Sequence, residues 1–420
     1  MKYKLLLKNT LICFVMFLLV SSSALASNLE EENKELKEKL DTTIKLLTEL
    51  QEKYETMQLQ VNKLYGIITK EEPQKEEVHI DSTVESLTKH NHGKNPNIML
   101  AGVFTGSIID NPEDNPHDQR NRMRLQEAEL TMEANIDEYS RAFFNFAVNR
   151  DEASLEEGYL ELDRIPNAKG LSAKFGRFRT DFGKINRVHL HDLPQVDYPD
   201  VITNFFGDHG YTDEGIGVKY ELPLPFYTRL EVNVLNGEND NMFNMTALEP
   251  SGVTRLSSIL HATKNTEVEI GVSGAMGVNN SRGDHFSFVQ GIDLTYYWRP
   301  HNKFNRALTW QTEAIMAQRE QANGSYHNNF GMYSYLEYQF ADKWSSGLRV
   351  DYSDVLDTFD HEWAVSPYIK FAQSDMSTWK LQYKHTQRNQ LRDSNAIFLQ
   401  WVGIIGAETE NHEEHKKKIY

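Results

Sequence analysis

From Leu29 onward, positions 29, 33, 36, 40, 43, 47, 50, 54, 57, 61, 64 and 68 follow one another in alternating steps of four and three. One set holds Asn33, Leu40, Leu47, Tyr54, Val61 and Ile68, the other Leu29, Leu36, Thr43, Leu50, Met57 and Leu64. A period of about 3.5 residues predicts a coiled coil over residues 27–68. Asn33 is polar on that seam, a device that sets register, and a parallel trimer is the expected assembly. Residues 69–96 are polar, carry no sustained period and read as a linker.

Beyond Asn97 the period falls to two. Leu230, Val232 and Val234 face one way while Arg229, Glu231 and Asn233 face the other, and Trp379/Leu381/Tyr383 alternate likewise with Lys380/Gln382. Such strands have one apolar and one charged face. A soluble sandwich buries the apolar face, whereas an outer-membrane barrel turns it to lipid and leaves the charged face to a wet lumen. Connection lengths separate the two. Strands are predicted near 97–106, 125–137, 139–149, 154–163, 171–178, 214–222, 228–236, 252–262, 266–275, 286–298, 305–318, 330–340, 342–352, 361–372, 376–386 and 394–405. Even-numbered connections are mostly turns, and the odd ones 107–124, 179–213, 237–251 and 276–285 are long and polar. Short turns on one rim and long loops on the other mark a barrel. The predicted fold is therefore all-β, a sixteen-stranded antiparallel transmembrane β-barrel over residues 97–406 preceded by the helical coiled coil and followed by a polar tail, 407–420. Trp298, Trp310, Trp344, Trp363, Trp379 and Trp401 all fall in these strands, as interface girdles require.

Ahead of the coiled coil, Lys2, Lys4 and Lys8 precede the apolar run LICFVMFLLV and the A-x-A site Ala24-Leu25-Ala26. Residues 1–26 read as a secretory signal peptide. The lone cysteine, Cys13, lies within it, so no disulfide or thiolate chemistry is expected of the mature chain. The net charge is −17, and loss of the three lysines takes it to −20. So acidic a chain argues against nucleic acid as a partner. Outer-membrane lipid is the expected surroundings, with the coiled coil in the periplasm.

With the N-terminus periplasmic, the loop 179–213 is the third external loop. It contains GRFRTDFGKINRVHLHDLPQVDYPD (176–200), rich in both charges and carrying His-x-His. In sixteen-stranded porins the third loop commonly folds into the lumen, so Arg177, Arg179, Asp181, Lys184, Arg187, Asp192 and Asp197 are expected at a constriction. Inward strand positions place Glu127, Glu129, Glu133, Arg141, Glu157, Glu161, Lys174, Arg229, Glu231, Glu313 and Arg349 along the pore. Acids dominate the first part of the barrel and bases the last. Gly183 and Pro194 can bend the loop.

The segments LQEAELTMEANIDEYSRAFFNFAV (125–148), LEEGYLEL (155–162) and GRFRTDFGKINRVHLHDLPQVDYP (176–199) resemble a family of bacterial outer-membrane porins related to the phosphate-selective porins. Its members are sometimes described as zinc-regulated outer-membrane proteins. The resemblance spans about residues 96–406 and implies a sixteen-stranded barrel, usually trimeric, sometimes with an N-terminal coiled coil. Phosphate-selective members line the pore with lysine and arginine, whereas this wall points many acids inward, so phosphate selectivity does not follow.

The expected function is a passive diffusion channel for small hydrophilic solutes or ions. Two alternatives stand beside it: an envelope tether, in which the barrel anchors the coiled coil against a cell-wall component, and a zinc uptake porin. An enzyme is not expected. Ser257 and His261 share a strand face but lie about 13 Å apart when extended, beyond hydrogen-bond reach. His189, His191 and His209 lie among aspartates in one loop, and imidazole with carboxylate suits zinc. The expectation is no resident cofactor, with transient zinc binding at these histidines.

Overall fold

The structure, a computed structural model, describes residues 96–406 except 111–121, 150–152, 240, 245–248, 301–304, 357 and 359. The expected signal peptide, coiled coil, linker through residue 95 and polar tail all lie outside the described residues.

Sixteen strands follow in chain order. They are β1 (Asn97–Ile109), β2 (Arg122–Asn135), β3 (Ser140–Val148), β4 (Ala153–Leu162), β5 (Leu171–Arg179), β6 (Thr212–Glu221), β7 (Tyr227–Leu235) and β8 (Ser251–Thr263). The second eight are β9 (Thr266–Val278), β10 (Phe286–Trp298), β11 (Ala307–Glu320), β12 (Tyr326–Ala341), β13 (Trp344–Asp354), β14 (His361–Ser374), β15 (Ser377–Arg388) and β16 (Ser394–Gly406). Each pairs antiparallel with its neighbours in sequence, and β16 closes on β1 with Val103 opposite Val402 and Thr105 opposite Gln400. Closure leaves no strand edge, which a sheet in hydrocarbon requires. The ends match the periodicity to within a few residues, the largest shift being β12, which starts four residues before the expected 330.

Side chains sort by face as the alternation predicts. On β7, Leu230, Val232 and Val234 are exposed while Glu231 and Asn233 are buried. Leu256, Val272 and Ile292 are cross-strand neighbours on β8, β9 and β10, and all three are exposed on the outer surface. Such an outward apolar band is the face that a membrane barrel turns to lipid. Val272→Arg places a charge in mid-strand and is expected to cost about 2–4 kcal/mol if the site lies near the bilayer midplane. A shift of the urea midpoint in lipid vesicles measures it, and an unchanged midpoint would mean this face is not lipid-covered. Aromatic rings cluster toward the strand ends at the short-turn rim, with Trp344 against Phe371 at 4.6 Å and Trp379 against Trp401 at 6.3 Å between centroids.

The inner face departs from the uniform charge that alternation suggested. Val253, Ala275, Val289, Ile315 and Ala317 also point inward and are buried in one apolar cluster. Their partners come from the connection between β5 and β6.

Candidate functional site

The connection 180–211 folds into the barrel. It forms two short 3-10 turns, Ile185–Arg187 and Leu190–Asp192, and one helix, α1 (Asp200–Phe206). Asn186 staples its base, donating from Nδ2 to the carbonyls of Thr180 (3.1 Å) and Tyr211 (3.0 Å) and accepting from the Tyr211 amide (2.7 Å). Apolar residues of this segment rest on the apolar wall. Phe206 stacks on Tyr211 and meets Phe182 edge-on, and Tyr211 in turn touches Phe243 from the following long connection. Val201 of α1 lies so near Gly331 that a Cβ there would come within 2.4 Å of it. A glycine on β12 gives the helix a flat seat.

The polar contacts run in a definite order. The first half of the segment meets the acidic part of the wall: Lys184 Nζ is 2.5 Å from Glu269, and Arg187 is 3.6 Å from Glu231. Arg179, where β5 ends, is 2.9 Å from Glu156. His189 donates through Nε2 to Glu157 (3.0 Å), with Nδ1 3.1 Å from Glu129, and His191 Nδ1 is 2.8 Å from the same Glu129. The second half meets the basic wall. Asp197 accepts from Arg349 (3.0 Å), Gln382 (2.9 Å) and Lys384 (3.0 Å), and Asp200 from Lys384 at 2.5 Å. Lys380 donates to the carbonyls of Leu193 and Gln195. Asp181 runs against the trend, pairing with Lys174 at 2.9 Å.

These contacts set the charge states within the segment. Burial alone lowers the histidine pKa values, but Glu129 outweighs it and holds His189 well above the ordinary value and His191 above it. Burial raises Asp197, yet Arg349 and Lys384 beside it hold it below the usual aspartate range.

Gly183 is the bend. Its φ is +62°, the left-handed region that favours glycine, and a Cβ there would fall 1.7 Å from a carboxylate oxygen of Glu313. That closeness lets the amides of Lys184 and Ile185 reach Glu313, both at 3.4 Å.

Of the expected constriction residues, Asp181, Lys184, Arg187, Asp192 and Asp197 sit in the inward segment and Arg179 at its start. Arg177 does not join them. It pairs instead with Glu238 at 2.6 Å, with both side chains partly exposed, because the strand's alternation turns it away. Glu129, Glu157, Glu231, Glu313 and Arg349 hold the segment rather than line open space. Glu127 lies with them on the inner wall and is buried. Glu133, Arg141 and Glu161 form a separate network toward the short-turn rim, joined by Lys219, with Arg141 2.8 Å from each of the two glutamates. Arg229 contacts Glu231 at 3.4 Å. His209 is half-exposed, with Nδ1 3.3 Å from Glu156.

Glu156 escapes a reading by alternation, which assigns it to the lipid side. The β3–β4 register shifts between Asn145, opposite Glu157, and Phe146, opposite Leu155. Glu156 is thus the extra residue of a bulge, and a bulge re-aims a side chain. Both Glu156 and Glu157 are consequently buried inside the barrel.

Residues 205–404 match the family model described as "Putative beta-barrel porin-2, OmpL-like". The chain has the fold of an outer-membrane porin. Among solved structures it superposes on OprB of Pseudomonas putida with a TM-score of 0.52 and 10% identity, covering 77% of this chain and 96% of that one. The anion-selective porin from Comamonas acidovorans gives 0.51 and 8%, covering 74% and 100%. A loop L8 deletion mutant of OmpT from Vibrio cholerae gives 0.51 and 9%, covering 74% and 99%. At these identities the likeness concerns the fold. An uncharacterized protein of Aquifex aeolicus (strain VF5) is 23% identical over 66% of this chain, which spans 64% of that relative's length. The porin fold explains why the inner face carries charge and why a long connection has room to enter.

Proposed function

We propose that the chain is a passive outer-membrane channel for small hydrophilic solutes and ions, narrowed at mid-height by residues 180–211. The observation that carries this reading is the charge order. Lys184, Arg187 and the two histidines meet acids on β2, β4, β7 and β9, and Asp197 and Asp200 then meet bases on β13 and β15. A segment built this way is held across the lumen and leaves only a narrow, polar route past it. Three copies per assembly are proposed from the heptad seam over 27–68.

The acids that outnumber bases on the first half of the wall favour a weak preference for cations. Reversal potentials in asymmetric KCl across planar bilayers are therefore expected on the cation side, with insertions adding conducting units in threes. A strong anion preference would overturn the selectivity, and single-unit insertions the trimer. A barrel that is only an envelope tether passes no current at all.

A further inference from the structure

The acidic wall around His189 goes further than holding the segment in place. Glu129, Glu156 and His189 each offer one ligand atom, and these atoms lie within 4.8 Å of one another; Glu127, Glu156 and His209 form a second such group sharing Glu156. We propose that the first group is a binding site for a divalent transition metal of the zinc type, inside the lumen, with His189 Nδ1 and the carboxylates of Glu129 and Glu156 as ligands.

Distances support it. Zinc takes nitrogen and oxygen donors at about 2.0–2.1 Å in a tetrahedron, whose edge is then about 3.4 Å. His189 Nδ1 lies 3.1 Å from Glu129 and 3.7 Å from Glu156, on either side of that edge. The third edge, between the Glu129 and Glu156 carboxylates, lies within 4.8 Å and closes as the ion draws the two together.

The orientation of the imidazole is a second, independent observation. His189 is 8% exposed, and its Nε2 is bonded to Glu157 at 3.0 Å. A carboxylate on the far nitrogen is the usual support of a metal-ligating histidine, since it fixes the ring's orientation, and binding releases the proton on the nitrogen that meets the ion. Here the other nitrogen, Nδ1, faces two carboxylates without alignment for a hydrogen bond to either. The bulge that turns Glu156 inward supplies the third donor. Arg179 donates to Glu156 Oε2, the same oxygen that lies 3.7 Å from His189, and so fixes its position, while Oε1 faces the half-exposed His209 at 3.3 Å. One imidazole and two carboxylates suit zinc and disfavour calcium or magnesium, which require shells of oxygen.

The site stands whether or not the barrel conducts, because binding can be read without current. Full-length protein purified in detergent is titrated with zinc chloride by calorimetry at neutral pH, with magnesium chloride as the contrasting ion. Zinc should bind and magnesium should not. His189→Gln should abolish the tight site, and Glu157→Gln should weaken it by about 10–100-fold, the range for a lost supporting carboxylate. Tight binding that survives both substitutions would place the zinc elsewhere and overturn the assignment, as would wild-type protein that ignores millimolar zinc. Where a variant does not assemble, zinc-edge X-ray absorption on the wild type decides. A nitrogen and oxygen shell with an imidazole signature supports the site, and a shell without imidazole removes it.

Discussion

Replacing residues 184–206 with a short Gly/Ser linker is expected to raise single-channel conductance severalfold while the barrel stays folded. The reason lies in the burial of the wall at mid-height. Arg255, Arg349, Glu231, Gln382 and Gln400 are each 0% exposed, although all point into what would otherwise be open lumen. What covers this ring of side chains includes the inward segment, which is bonded to Glu231, Arg349, Gln382 and Gln400 directly. Removing it exposes them to water rather than to hydrocarbon, so their desolvation cost falls as the contacts are lost. The strand ladder closes on itself without the segment, and backbone pairing in the membrane does not depend on it. The following connection keeps Met242 and Phe243 inside, which limits the gain. Planar-bilayer recording measures the change. Unaltered conductance in a folded deletion variant would mean that residues 184–206 do not form the constriction.

Asp197→Lys is expected to free the second half of the segment without shortening it. Asp197 carries Arg349, Lys384 and Gln382 on its two oxygens, and breaking a buried pair by removing one partner costs about 3–5 kcal/mol. The new lysine adds repulsion against two cations already in place. The variant should show larger, noisier currents and trypsin cleavage after the new lysine at position 197, and adding Lys384→Asp should restore part of the wild-type behaviour. A quiet, protease-resistant variant would show that the apolar seat of α1 is sufficient. The depressed pKa of Asp197 gives the pH dependence its sign. Its contribution is present at and above the ordinary aspartate range and is lost only as pH falls below it. Acidification from neutral to about pH 5 should leave this latch closed.

Much of the site was legible in the chain, one residue at a time. The period of two marked Glu129, Glu157, Glu231, Glu313 and Arg349 as inward, and the long connection between the fifth and sixth strands marked the segment that meets them. Arg177 was expected at the constriction as a loop residue, but it lies on β5 and the intact pleat turns it toward Glu238, while Glu156 was not singled out at all. Alternation assumes an unbroken pleat, and in β4 a single extra residue reverses the face of its neighbour. Val253, Val289 and Ile315 read as ordinary strand residues, since nothing local says that an apolar side chain inside the barrel will find Phe182 and Phe206 to cover it.

What the sequence by itself determined is the set of strands, their two faces and the sign of charge carried by each part of the wall and of the loop. Hydrophobic period and turn spacing are local, and each strand's faces follow from the pleat alone. Only the tertiary structure decided that the charges of 180–211 run in the order of the wall they meet, and that Glu129, Glu156 and His189 converge. Those pairings join residues far apart in the chain, and their distances exist only once the sheet has closed and fixed the register of every strand against the next.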